Sequence, residues 1–476
     1  MKKNIQLFVI SVLALPFSSC SNFLEVENVG RVTIPSLFAD MDGIRSATTG
    51  MYSKTYDYYN SEFYEYPEVA GNMVDFKLTD ASEGMIFQYN FTSTPEQEAA
   101  AVGHIWQKIY VALGNTNNIL QYQPSLLNKF PENANELQLI KAQALFVRAL
   151  CHFDLCRSYA QPYFQTPNAS HIGVPVLKQT PGADDNVSRA SVKEVYDFIK
   201  SDLLESEQLF GTTPMVDAYH VSQKATRALL SRVYLYSREW DNVIKYSTLV
   251  INASTLSKNN DYLAMYTDQT AGTEAIFRLN GKLKSQILGE FYSSTDPVVI
   301  AADTLMSLYT DTTDVRLKLF KKLKGTNKYA TLKYSIKDTT VAINDKRYDP
   351  IVLRVSEMYL NRAEAYLNLN LLDKATSDLK VIIARSLDKE VSEINVAHTD
   401  KTSLAALIEK ERAKELCFEG HNFFDIIRQG KNLVRGKTTN STVKFMAYPS
   451  NYFVLPIPQS ELDANKNMVG NPTVNK

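Results

Sequence analysis

Glu411, Glu415 and Glu419 repeat every four residues, and at that spacing three carboxylates fall along one face of a helix. Acids in a row are raw material for acid–base chemistry. A glycoside-cleaving pair, however, needs two carboxyls held across a cleft, roughly 5–10 Å apart, one with a raised pKa. Acids one turn apart on a helix that also carries Arg412 and Lys414 meet neither condition, so the run reads as a charge network. Arg412, Asp425 and Arg428 read likewise, as ion pairs that pin helices together. The six histidines, His104, His152, His171, His220, His398 and His421, show no HExxH pattern and no paired ligand spacing. No G-x-S-x-G elbow or phosphate-cradling glycine loop is present. Cys151, Cys156 and Cys417 read as three buried thiols, too sparse for a disulfide framework. The chain is therefore expected to bind rather than to convert, with no catalytic residue, metal or cofactor.

Binding of carbohydrate asks for flat aromatic faces and for amides, carboxylates or arginines that fix hydroxyls. Tyrosine is abundant, with 27 residues, and tryptophan scarce, with 2. Trp106 and Trp240 are expected in the core, which leaves tyrosine and phenylalanine for a site. Tyr58, Tyr59, Tyr64 and Tyr66 crowd together around Phe63, and Asn72 and Asp75 follow them. Phe291 and Tyr292 form a second candidate stack in a polar stretch. These eight residues are the expected ligand contacts. The lack of spare tryptophan leaves room for a peptide ligand, held by backbone hydrogen bonds and tyrosine contacts.

The elements that must position these residues are mainly helical. Apolar spacing predicts helices over about 33–60, 96–122 and 133–159, the last with a broad apolar face. Residues 161–189, punctuated by Pro162, Pro167, Pro175 and Pro181, read as a long irregular connection. Ser191 and Glu194 form a capping box for the next helix. Two helix-turn-helix units follow, 219–251 and 351–385, each with small alanines that admit a second helix closely. That is the logic of a tetratricopeptide repeat, although the two units lie far apart and do not suggest a regular solenoid. Between them, residues 255–350 are polar and broken, with short strands expected at 274–279 and 333–335. A last helix, about 403–419, is expected to end at Gly420. The fold class is thus mainly α, a tetratricopeptide-like scaffold of helical pairs with an irregular, loop-rich insertion that binds the ligand.

The ends and the charge set the compartment. Lys2 and Lys3, the apolar run Ile5–Phe17, Ser18, Ser19 and then Cys20 make a lipoprotein-type secretory signal. Residues 1–19 are the expected leader and Cys20 the acylated first residue of the mature chain, held at a membrane by its acyl chains. The mature part, 20–476, divides into 20–254, 255–350 and 351–476. No later apolar run reaches the roughly 18 residues of a spanning helix. Without the leader, 49 basic residues stand against 52 acidic ones, a net charge of −3 that gathers no nucleic acid.

Several stretches, in order, resemble one family. Ile408–Leu416, Phe418-Glu419-Gly420, Phe424-Asp425-Ile426-Ile427-Arg428 and Gly430 are similar to the "ER-x-x-EL-x-FEG…DL-x-R-x-G" signature of SusD/RagB outer-membrane lipoproteins of Bacteroidetes. Leu455-Pro456-Ile457-Pro458, Glu461 and Asn471-Pro472 resemble its closing pattern, and Tyr359–Tyr366 its "YL-x-x-AEAY" helix. Arg148-Ala149, Phe153-Asp154-Leu155 and Ala228–Leu235 fall in the expected order, and Cys20 with Phe23-Leu24-Glu25 looks like its lipidated start. His421 stands where arginine is commoner, and Asn370-Leu371 replaces a usual glycine turn. The resemblance implies a cell-surface protein on the outer membrane, seated over a TonB-dependent transporter barrel of the SusC/RagA kind. It implies capture of a nutrient, an oligosaccharide first and a peptide second, for import by that barrel. A tetratricopeptide adaptor that binds only proteins is the reading from another class.

Overall fold

The computed structural model describes residues 33–78, 85–97, 99–182, 184–214, 217–267, 274–281, 287–334 and 349–472. The leader and Cys20 lie outside the described residues. Helix α1 (Met41–Tyr59) opens at Asp40, whose side chain accepts the Gly43 amide hydrogen. After α2 (Glu62–Val69) come two long helices, α3 (Ala101–Lys129) and α4 (Ala134–Tyr159). The second half of α4 is buried almost all round, from Ala142 to Tyr159, so this helix runs through the middle of the molecule. Helix α5 (Val192–Phe210) begins with the capping box foreseen at Ser191 and Glu194.

The pair α6 (Gln223–Ser237) and α7 (Trp240–Asn252) turns at Arg238, which takes a left-handed φ of 60°. Ala225 and Ala228 are fully buried, and Tyr234 stacks on Tyr246 at 5.6 Å. The pair α8 (Val355–Asn368) and α9 (Leu372–Leu387) turns at Asn370, with φ of 61°. Asparagine tolerates that region better than most residues, so it serves where glycine is usual. Helices α10 (Lys401–Leu416) and α11 (Asn422–Gln429) complete the C-terminal part.

The two helical pairs, far apart in sequence, meet in the fold. Packing runs α1–α3–α4–α5–α6–α7, and α7 lies directly on α8, which carries α9 and α10. Asn361 of α8 donates to the Ser231 hydroxyl of α6, itself 2.7 Å from that of Ser247 in α7. One main core draws residues from Phe38 to Met468. Residues 253–354 leave the stack at this junction and return to it, a continuity that sequence distance concealed.

Short strands stitch the insertion down on both sides. β1 (Val74–Phe76) pairs antiparallel with β3 (Val299–Ala301), and β2 (Ala275–Arg278) with β6 (Ile351–Arg354). β4 (Phe320–Lys322) and β5 (Tyr329–Thr331) form a hairpin within it. Residues 351–354, expected at the start of a helix, are this strand instead. Pro350 and the run Ile-Val-Leu favour extended backbone, and β2 supplies the hydrogen bonds. The strand expected at 333–335 lies earlier, as β5; Lys333 and Tyr334 follow it and Ser335 falls outside the described residues. Helix α10 ends at Leu416, and Gly420, with φ of 76°, shapes the turn beyond it. A small hairpin, β7 (Leu433–Val434) with β8 (Phe445–Met446), precedes the closing tail.

Candidate ligand-binding site

The glutamate row is a structural ion network. Glu415 is fully buried and faces Arg316 at 3.2 Å, Arg354 at 2.6 Å and Arg385. Glu411 meets Arg316 at 2.8 Å, and Glu419 meets Arg354 at 2.8 Å and Lys333 at 2.5 Å. Burial opposes ionisation of Glu415, yet Arg385, Arg354 and Arg316 hold its carboxyl well below the ordinary range. A general acid would need the opposite shift. Arg412 and Arg428 pair with Asp425, each at 2.7 Å, as the sequence suggested. The pairs of Arg316 and Lys333 fasten the insertion to α10 and the turn beyond it.

The structure turns the expected tyrosine cluster inward, although Tyr66 borders a hollow of about 210 Å³ beside Phe91 and Tyr452. Tyr58, Tyr59, Tyr64 and Tyr66 are 0–3% exposed. The hydroxyls of Tyr58 and Tyr59 both donate to Asp154 on α4, at 3.1 and 3.0 Å. Tyr64 donates to the Ile351 carbonyl, and Tyr66 packs edge-on against Phe423 and Phe424. At helical spacing in α1 and α2 these rings point inward, where two elements meet the FEG turn. Phe291 and Tyr292 are buried too, and Tyr292 stacks on Tyr334 at 4.8 Å. Asp75 lies in β1 and accepts from Tyr89 at 2.7 Å and Thr439 at 2.6 Å. Asn72 is half-buried and donates to the Val434 carbonyl at 2.9 Å. The contacts of these residues chiefly tie the chain together.

Two roomier concavities lie astride α3. The larger is a cleft of about 570 Å³ between α3, the proline-rich connection and the closing tail. From α3 it receives Gly103, Trp106, Gln107, Tyr110, Val111, Gly114 and Asn117, one helical stripe. Pro175, Leu177, Thr180, Pro181, Asp185 and Val187 form the second wall, and Glu461, Asn465 and Met468 belong to the third. Trp106 is 5% exposed, lies 4.7 Å from Tyr110 and donates to Glu461 at 3.2 Å. The Tyr110 hydroxyl and the Asn117 side-chain carbonyl, both buried, have no protein partner.

A second cleft, of about 370 Å³, is lined by Lys54, Tyr56, Asp57, Asn60, Gln107, Lys108, Val111 and Ile287. The two clefts share Gln107 and Val111, both exposed, so α3 is a ridge with a hollow on each side. Both volumes fall within the roughly 300–1,000 Å³ of small-ligand sites. By contrast the cavity beside Arg412, His421 and Asp425 holds about 100 Å³, too little for a sugar. Sequence reasoning placed Trp106 in the core and named no ligand contact on the α3 stripe. Its signal was two glycines, 103 and 114, on one face of a helix, where glycine is costly unless space is wanted.

This helical stack with a stitched insertion is a recognised architecture. A family model described as starch-binding, associating with the outer membrane, matches residues 22–235. A model of the SusD family matches residues 320–473. The chain belongs to the SusD/RagB family. It is 22% identical to the SusD-like protein P38 of Formosa agariphila, over 90% of this chain and 92% of that one. A SusD superfamily protein from Bacteroides thetaiotaomicron superposes with a TM-score of 0.80 at 24% identity, over 91% of this chain and 100% of the other. A SusD-like carbohydrate binding protein from Bacteroides vulgatus gives 0.74 at 20% identity, over 90% and 97%. No helix among the described residues is long and apolar enough to cross a membrane.

Proposed function

We propose that the chain is a cell-surface lipoprotein of the outer membrane that captures an oligosaccharide and passes it to a partner TonB-dependent transporter. The observation that carries this reading is the pair of clefts meeting at Gln107 and Val111 on the rigid helix α3. Aromatic rings, amides and carboxylates share those clefts, the chemistry that grips sugar hydroxyls. An extended ligand can lie across the ridge and fill both hollows. The reading is non-catalytic, because the conspicuous row of acids is committed to arginines. Acylation at Cys20 would tether this rigid body.

Calorimetric titration of the full-length protein in detergent, against neutral oligosaccharides and oligopeptides, tests the ligand. Saturable heat with a glycan supports the reading. Heat with peptides alone transfers the same role to peptide import, and no response to either favours a protein-binding adaptor. For the anchor, Cys20→Ala is expected to move the protein from the outer-membrane fraction to the soluble one. An unchanged membrane fraction overturns that part.

A further inference from the structure

We infer that the larger cleft accepts uncharged, hydroxyl-rich sugar units and turns away sugars bearing carboxylate or sulfate. This rests on the proposed role in glycan capture and specifies the ligand class. Two buried oxygens border the cleft without a protein partner, the Tyr110 hydroxyl and the Asn117 carbonyl. Asn117 is 1% exposed, and its amide nitrogen is already committed to the Leu177 carbonyl at 3.2 Å. The atom of Asn117 left unanswered is its acceptor oxygen, which calls for an O–H donor. An unanswered buried polar group is costly, and a ligand hydroxyl recovers that cost on binding.

The charges around these oxygens have one sign. Among the described residues lining the cleft, Asp185 and Glu461 are the only charged ones. Asp185 accepts the Gly182 amide hydrogen at 2.8 Å, and Glu461 accepts from Trp106. Arg189, whose charge reaches Tyr110, directs its donors elsewhere: to the carbonyls of Gly173, Tyr159 and Val469 and to the Asn471 side chain. An anionic sugar in the cleft therefore meets two carboxylates and no lining cation to answer it, whereas sugar hydroxyls find unanswered acceptors to satisfy.

Gly114 supplies the decisive variant. A Cβ built there meets nothing within 4 Å, so a side chain at 114 projects into open space. Gly114→Leu should leave the fold intact, and improve helix propensity, while filling the cleft. Tyr110→Phe removes an unanswered hydroxyl, so its stability should hold or rise. Titrating the full-length protein with neutral, uronate-containing and sulfated oligosaccharides of equal length, we expect neutral ones to bind at least tenfold more tightly. Gly114→Leu should weaken that binding at least tenfold, and Tyr110→Phe several-fold, with unchanged unfolding midpoints. Anionic sugars that bind as tightly as neutral ones, and are lost in Gly114→Leu, overturn the charge selection. Neutral sugars that bind both variants as well as the parent overturn the site while capture itself stands. No binding of any glycan overturns the capture reading and this inference with it.

Discussion

Single residues in the middle of the molecule are polar more often than a helical core requires, and His152 shows how one is answered. His152, fully buried on α4, directs Nδ1 to the Arg148 carbonyl at 2.8 Å. Its Nε2 accepts the Leu177 amide hydrogen at 3.0 Å and so holds one wall of the large cleft. That bond requires a neutral ring. Burial, with the Arg148 charge beside it, pushes His152 down from 6.5 to about 4. A depressed folded value means stability that is complete above about pH 6.5 and lost as the pH falls through about 4. The shift corresponds to about 3 kcal/mol at most. Urea unfolding measured between pH 7 and 4 should show this decline in the parent, and a flatter curve in His152→Gln. Identical curves would refute it. The tyrosines illustrate the limit of reading residues singly. Tyr58, Tyr59 and Asn72 are residue types that suit a sugar, but type does not say which way a ring points. Asp154, buried on α4 and distant in sequence, is what turns the first two hydroxyls inward.

At the scale of elements, much was legible because local signals were strong. Ser191 with Glu194 gave a helix start to the residue, and the alanine-lined pairs gave both turns. What failed was local pattern against partner: 351–354 became a strand because β2 lies alongside, and no periodicity within four residues reports a neighbour 75 residues away. The helix ends offer a direct test of these local terms. Asp388 caps α9 in the left-handed region, with φ of 54°, is exposed, and places a negative charge at a helix C-terminus. Both features are unfavourable. Asp388→Gly should therefore stabilise by about 1 kcal/mol, seen as a higher denaturant midpoint with unchanged slope. A lower midpoint would mean that the aspartate has a role beyond capping.

At the scale of the whole molecule, the insertion is locked by charge rather than by a large core of its own. Glu415 alone faces three arginines, from the insertion, β6 and α9. Removing one member of a buried ion cluster costs roughly 3–5 kcal/mol because the others are left uncompensated. Glu415→Gln should loosen β2, β4 and β5 before the stack, so amide exchange there quickens while α3 and α4 keep their protection. Uniform quickening throughout would show instead that insertion and stack open as one unit. The proposed recognition surface was the least legible part of the sequence. It is assembled from a helix stripe, a proline-rich connection and a tail more than 270 residues apart, and only the fold brings them together.

The junction between α7 and α8 has a consequence for variation. The chain departs and comes back at touching helices, so the ends of whatever is threaded there are held together already. Doubling the length of a flexible loop costs only about 0.6 kcal/mol. That doorway can therefore admit longer, shorter or wholly rewritten segments while the helices on either side keep their partners, and a new diet can be met without a new protein.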